Sequence, residues 1–579
     1  MEKKDVTAAL AVHPHTTPDP PPPPHPHRHP GAPAPQSGPS AGAAPLAPPG
    51  PRRASAARPE RRPVPWLAVV AVGYALVQLA LVVPRTGHAL GWDESVYVSQ
   101  VDPRTPAAFF SAPRSRGISF LVAPVLAVTS SPLALRLFLM LLSTLALYAA
   151  FRVWRPLLGR TVTALAALLF AGLWITQVSG SAAMPNLWVA LGAVAAVGWF
   201  LRVPDEPHAR WWCAGFLGLV TLVRTPDAGW LALPLLAWAF AAPAWRTARP
   251  ALLVGLVAGA LQWIVEAYAR FGSVSGRLDV SGEVEGGMGL SFNIGNVLRS
   301  LNGPQLCRPC DAALRHPELT LWWLALPLLA AAAVALALGD RRRGRAAGAE
   351  PAREGAEAPR GGDGPRTYAD RPAVILLPVA CAAAVAVPYL FLISFSAPRF
   401  LLPVYALLAL PVAALAVRLV RADDRPSRAV VILAAVIALH MAGQHVVLWH
   451  ATGQTQAVTG RYLAGARELH RLGVAPPCLI TGDRALPVAY HAGCASAQTA
   501  GNNRSVTVST LLRRIESRSA AVLAGPERPQ PPSYARDWVP YPLRGTDWIA
   551  YLPPDQPGQP NEPDQSRQWL SGIAGTLAP

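Results

Sequence analysis

The chain has 579 residues, of which 52% are hydrophobic and only 15% charged, against about 25% charged in an ordinary soluble protein. Its apolar residues gather in blocks long enough to cross a bilayer, which takes roughly 20 residues each, and this excludes a soluble multidomain protein. The formal net charge of +18 raises nucleic acid as a partner, but the arginines sit in short segments between apolar blocks and form no basic stripe interleaved with stacking aromatics, so nucleic acid is excluded too.

Residues 1–63 are rich in Pro, Ala and His and nearly devoid of large apolar side chains. Such a segment buries too little surface to offset its ordering entropy, and a disordered cytoplasmic tail is expected. Its histidines, among them His13, His25 and His29, alternate with proline, which favours a solvated tail over a metal site. No cleavable signal peptide is evident ahead of the first apolar block. Apolar blocks then run over 64–83, 132–154, 162–178, 187–201, 211–223, 229–244, 250–268, 319–338, 372–395, 401–420 and 429–449. The expectation is an α-helical polytopic membrane protein with about eleven transmembrane helices. A further apolar stretch, 117–129, is too short to span and reads as interfacial or re-entrant.

Threading these helices in order puts the Arg-rich segments around Arg62, Arg155, Arg202, Arg249, Arg343 and Arg421 on one side, which the positive-inside rule makes the cytoplasm. The N-terminus is then cytoplasmic, while the loops 84–132 and 270–317 and everything after residue 450 lie outside. The insert 339–371 is charged and rich in Gly, Ala and Pro, as a disordered cytoplasmic loop would be. A membrane domain over 64–449 is thus followed by an extracytoplasmic domain over 450–555 and a flexible tail over 556–579. Within the outer domain, helical spacing at 459–472 and 509–517 alternates with strand-like runs at 478–481, 520–524, 538–541 and 548–552, which predicts a small α/β domain.

Cys213 and Cys381 fall inside apolar blocks and read as small buried side chains. Cys307, Cys310, Cys478 and Cys494 fall in segments assigned to the outside, where disulfides persist. The expected pairs are Cys307–Cys310 and Cys478–Cys494. Zinc is the rival for Cys307-Arg308-Pro309-Cys310, but no second Cys or His pair nearby completes four ligands.

Charges next to the outer ends of membrane helices are functional candidates. Asp93 and Glu94 stand out in Gly91-Trp92-Asp93-Glu94-Ser95-Val96-Tyr97, between two aromatics that favour the interface. The plainer alternative is a helix N-terminus in which Asp93 caps and Glu94 meets the positive dipole end. Arg224 and Asp227 share another outer turn, where a phosphate or sugar contact and a local ion pair are both open. Glu266 and Arg270, spaced i,i+4, read as a structural pair.

The order of these pieces resembles the GT-C class, in particular the protein O-mannosyltransferase and aminoarabinose transferase superfamily. The matching segments are Trp92-Asp93-Glu94, Arg114-Ser115-Arg116-Gly117, Leu133-Ala134-Leu135-Arg136-Leu137, Gly159-Arg160, Met184-Pro185-Asn186, Leu222-Val223-Arg224-Thr225-Pro226 and Pro398-Arg399-Phe400. They span 64–420 and leave out the N-terminal tail and the outer domain. The resemblance implies a GT-C-like plasma-membrane glycosyltransferase. It would take a sugar from a polyprenyl-phosphate donor and pass it to an extracytoplasmic acceptor, whether protein, lipid or envelope glycan. In that reading Asp93 is the general base with Glu94 beside it, and Arg399 and then Arg116 meet the departing lipid phosphate. Arg114, Arg224 and Tyr97 complete the substrate site. No resident cofactor is implied with certainty. If a divalent metal takes part, Glu94 is its candidate ligand, although Asn186 stands where related sequences often place Asp, which weakens a metal-dependent mechanism. The rival readings are a transporter or flippase of lipid-linked sugars, which lacks the expected paired broken helices here, and a non-catalytic membrane scaffold.

Overall fold

The structure is a computed structural model and describes residues 64–554 apart from 288, 304, 309, 312, 348–371, 424 and 502. The expected tails at 1–63 and 556–579 and most of the 339–371 insert lie outside the described residues.

Each of the eleven apolar blocks is helical, the one at 162–178 as two helices. Among the described residues, eight helices are long and apolar enough to cross a membrane: Trp66–Thr86, Pro132–Arg152, Pro185–Arg202, Ala248–Phe271, Pro317–Arg343, Ala373–Phe391, Pro398–Ala422 and Pro426–Arg471. Arg155–Ala171 and Trp174–Gly180, bent by 80° at a short break, make a ninth span if taken together. The two remaining blocks give the shorter helices Ala209–Val223 and Thr225–Ala241, of 15 and 17 residues. The protein is therefore a multi-pass membrane protein.

Burial sorts these helices by place. Pro185–Arg202 and Leu402–Ala422 are enclosed nearly all round and form the centre of the bundle. Pro426–Arg471 instead turns Val431, Val436 and Leu439 outward, a lipid-facing pattern that would be costly in water. Small residues set the closest helix pair. A Cβ added at Gly255 or Gly259 would sit only 2.4 or 2.3 Å from the Ala214 or Gly218 carbonyl oxygen, so these spaced glycines let the Ala209–Val223 and Ala248–Phe271 helices touch through their backbones.

Between the long helices, the 84–132 loop carries the helices Trp92–Ser99 and Gly117–Val128, and the 270–317 loop carries Val274–Glu285 and Ile294–Leu301. Cys307 and Cys310 are joined, with Cα atoms 4.4 Å apart, and the Cys307 backbone pairs with Ser396. Cys213 and Cys381 are free and buried.

Beyond the bundle lies a five-stranded sheet of β1 (Cys478–Gly482), β2 (Ala495–Ser496), β3 (Ser519–Ala524), β4 (Val539–Pro542) and β5 (Ile549–Leu552), in the order β2-β1-β3-β5-β4. β1 is parallel to both β2 and β3, while β5 runs antiparallel between β3 and β4. The helix Ala485–Ala492 crosses from β1 to β2, and Val508–Ile515 crosses from β2 to β3. A disulfide between Cys478 and Cys494, Cα atoms 4.8 Å apart, ties the start of β1 to the chain just before β2.

Two boundaries differ from expectation. The apolar block at 429–449 and the helical pattern at 459–472 are one continuous helix of 46 residues, Pro426–Arg471. Its membrane end faces lipid and its far end supplies Tyr462, Ala466 and Leu469 to the core of the sheet domain. Likewise Leu321–Ala347 carries helix into the first residues of the charged insert, where Arg and Ala are good helix formers.

Candidate active site

The Trp92–Ser99 helix starts on an extended Gly91, whose N–H donates to Glu94 Oε2 at 3.0 Å. Glu94 thus takes the capping role that the plainer reading gave to Asp93. It also has a second task. Arg136, projecting from the first turns of the Pro132–Arg152 helix, forms a two-pronged pair with it, one contact at 2.8 Å, and the Ala183 N–H adds a third donor at 2.9 Å. The other Arg136 hydrogen bonds go to the carbonyls of Thr86 at 3.2 Å, Ala89 at 3.3 Å and Ser181 at 2.9 Å. Both side chains are nearly enclosed, at 3% exposure for Arg136 and 10% for Glu94. Burial alone would push the Glu94 carboxyl up, but Arg136 and the two backbone donors hold it below the usual carboxylate range.

Asp93 points the other way, and its side chain keeps 30% exposure. One oxygen accepts from Arg114 at 2.7 Å and the other from Arg399 at 3.1 Å. Burial raises its pKa, yet the two guanidiniums outweigh that effect and leave it lowered, so the carboxylate is ionised at neutral pH. Arg399 also donates to the Gln305 carbonyl at 3.0 Å, which links the Pro398–Leu401 turn to the 270–317 loop. Arg114 lies 5.2 Å over the Tyr97 ring, so Tyr97 supports Arg114 from beneath.

Asp93, Glu94, Arg136 and Arg399 line a cavity of about 710 Å³ between one end of the bundle and the sheet domain. The bundle contributes Thr86, Ile175 and Met184, the long helix Thr459 and Tyr462, and the sheet domain Asp483 and Trp548. A volume of this size accommodates a sugar and a phosphate together.

Other candidates from the sequence sit elsewhere. Arg116 donates to Glu266 at 2.7 Å, Arg270 joins the same carboxylate at 2.8 Å, and neither arginine is on the cavity wall. Fully buried Arg277 completes this cluster and donates to the carbonyls of Ala112 at 3.0 Å and Arg114 at 2.8 Å. The four charges thereby fix the backbone that presents Arg114. Arg224 pairs with Asp227 at 3.3 Å, the local ion pair left open above, and lies 5.4 Å over the Phe400 ring next to Arg399. Among the described residues no group of three or more His, Cys, Asp or Glu side chains is placed to hold a metal ion. Glu94, the one proposed ligand, is taken up by Arg136 and backbone donors, so its surroundings do not fit a cation.

Arg136 is the residue whose importance sequence reasoning missed, although it quoted the segment around it. A lone arginine inside an otherwise apolar helix is itself the signal.

The sequence matches no family model and no curated protein. Its fold does have counterparts. ArnT from Cupriavidus metallidurans bound to undecaprenyl phosphate superposes with a TM-score of 0.55 at 14% identity, over 84% of this chain and 97% of that one. The same protein in the apo state gives 0.53 at 13% identity over the same shares. Identities this low establish a shared fold, the one the resemblance in the sequence leads to expect.

Proposed function

We propose that this protein is a membrane glycosyltransferase that moves a sugar from a polyprenyl-phosphate donor to an acceptor outside the membrane, with Asp93 as general base. The observation that carries this reading is the placement of Asp93 between Arg114 and Arg399 at the wall of the cavity. In the reaction, the acceptor hydroxyl gives its proton to Asp93 as its oxygen bonds to the anomeric carbon of the sugar. The bond from that carbon to the phosphate oxygen breaks, and the lipid phosphate leaves with the electron pair. Arg399 neutralises the charge that develops on it. The two roles are coupled, because Arg399 also neutralises Asp93. A phosphate that competes for the guanidinium loosens its hold on the carboxylate, and Asp93 becomes the stronger base once donor is bound. Glu94 and Arg136 hold the loop in place without touching the reacting atoms. The likeness to a protein seen with undecaprenyl phosphate supports a lipid-phosphate donor.

Mass spectrometry of membrane lipids and envelope glycans, with and without the protein, tests the reading. One polyprenyl-phosphate sugar is expected to accumulate while one glycan disappears. Unchanged levels of both would sink the proposal.

The reaction also requires the cavity to face outward. That orientation rests on the Arg-rich loops, which share one side when the eleven helices are threaded in order. Topology reporters fused at Gly355 and Gly525 are expected to report opposite sides, the first cytoplasmic. A shared side for both would refute the threading.

A further inference from the structure

We propose that the outer domain carries the acceptor subsite, at the point where its sheet changes direction, and that the acceptor bound there is a neutral saccharide. The proposal rests on the transferase reading above and names the half of the cavity that chemistry at Asp93 leaves unassigned.

The argument starts from topology. From β1 the chain crosses to β2 on one side, then returns to β3 on the other side of β1, so β1 and β3 are parallel neighbours at a switch of direction. In open α/β sheets, the crevice outside the carboxyl ends of two such strands is where ligands bind, because the connections on either side diverge and leave it uncovered. Here the carboxyl ends are Gly482-Asp483-Arg484 after β1 and Gly525-Pro526-Glu527 after β3, and all but Gly482 line the same cavity as Asp93 and Arg399. The switch point therefore shares one cavity with the proposed reaction centre, with Asp483, Arg484 and Glu527 on its exposed rim.

The local backbone is shaped for this. Gly482 has φ of 88°, and a Cβ there would meet the Leu523 carbonyl oxygen at 2.2 Å, so β1 turns away hard against β3. Asp483 then accepts from the Gly525 N–H at 3.2 Å, which locks the two strand ends together. Arg484 follows with φ of 56°, a left-handed conformation that a side chain of its kind rarely adopts. Such strain persists where the surroundings impose it and gathers at binding sites. The Arg484 carbonyl accepts from the Val488 N–H at 3.3 Å, while its side chain is exposed to the cavity and makes no hydrogen bond or ion pair among the described residues.

Charge selects the ligand class. The rim holds the carboxylates of Asp483, Glu527 and Asp547 and the guanidiniums of Arg461 and Arg484, the pair Arg461–Asp547 at 3.1 Å. Three negative groups against two positive ones disfavour a second phosphate. Alternating acceptors and donors instead match hydroxyl groups, each of which both donates and accepts. Below them Tyr462 and Trp548 stack with ring centroids 5.9 Å apart and close the cavity floor with an apolar surface.

The test uses the full chain in lipid nanodiscs and saturation-transfer NMR with neutral pentose and hexose trisaccharides as probes, and basic and acidic tripeptides as the competing class. At least one trisaccharide is expected to bind. Arg484→Gly removes the side chain and relieves the backbone, so it should weaken that binding at least tenfold without lowering the thermal unfolding midpoint. Glu527→Gln should weaken it too, and Asp93→Asn should leave it intact. Binding by no trisaccharide, by the peptides alone, or with equal strength in Arg484→Gly and Glu527→Gln would overturn the inference. Saccharide binding that depends on Arg484 in a protein without transfer activity would leave the subsite standing and remove the transferase reading. Transfer that proceeds with saccharide binding indifferent to both variants would do the reverse.

Discussion

Asp93→Asn is expected to lower turnover by about 100-fold or more at saturating donor, while the lipid donor still binds. The substitution keeps the shape of the side chain and its place between Arg114 and Arg399, but removes the group that takes the proton. Arg399→Ala should differ by weakening donor binding as well as turnover, since the guanidinium would act on the phosphate in the bound donor and in the leaving group. Nothing in the helix start disturbs this comparison, because Gly91 and Glu94 supply the cap and Asp93 has no part in it. The pH profile follows from the same contacts. Asp93 must be ionised to accept a proton, and the two arginines lower its pKa. Activity of the free enzyme should therefore persist through the ordinary carboxylate range and fall only at more acid pH. Assays of purified, folded variants decide the matter, and near-normal turnover by Asp93→Asn would remove the base assignment.

Arg136→Ala should cost the fold about 3–5 kcal/mol, the usual penalty for leaving a buried charge without its partner. Glu94 would then keep only the Gly91 and Ala183 N–H donors, and the carbonyls of Thr86, Ala89 and Ser181 would each lose a donor. Replacing both members, as in Glu94→Gln with Arg136→Met, should recover part of the loss, since no unpaired charge remains. Denaturant unfolding of the detergent-solubilised protein measures both. An Arg136→Ala protein as stable as the parent would show that the pair does not hold the loop.

How much of this was legible in the sequence depends on the length scale of the signal. An apolar run of about 20 residues has few alternatives to a membrane helix, and every block read that way is helical. The stretch 450–458 was harder. Gly453, Gln454 and Thr455 look like a break between two elements, yet the helix runs through them, because such residues are tolerated in a helix held at both ends by packing. The two-residue β2 went unread since it is too short to show a period. In the site, Asp93 and its neighbour were visible as charges beside an apolar helix. Their partners were not, because Asp93 and Arg399 lie 306 positions apart and no local pattern joins them. Only the family-like order of segments put them together. It also suggested Arg116, whose true partner Glu266 is 150 positions away and equally out of reach of local reasoning.

The Pro426–Arg471 helix has one further consequence. At 1.5 Å per residue its 46 residues make a rod of about 69 Å, against a hydrocarbon layer of about 30 Å. One end runs along the side of the membrane helices with its apolar residues turned outward, and the other is part of the core that supports the sheet, with Gly465 packed against Trp548. No break in this helix separates the bundle from the sheet domain. On the transferase reading, the rod would hold the rim of Asp483 and Glu527 at a set height above the lipid surface and act as a gauge. A molecule anchored in the same membrane would then reach the cavity only if its own stem brought the reactive group to that height, and selection by reach would come before any selection by contact.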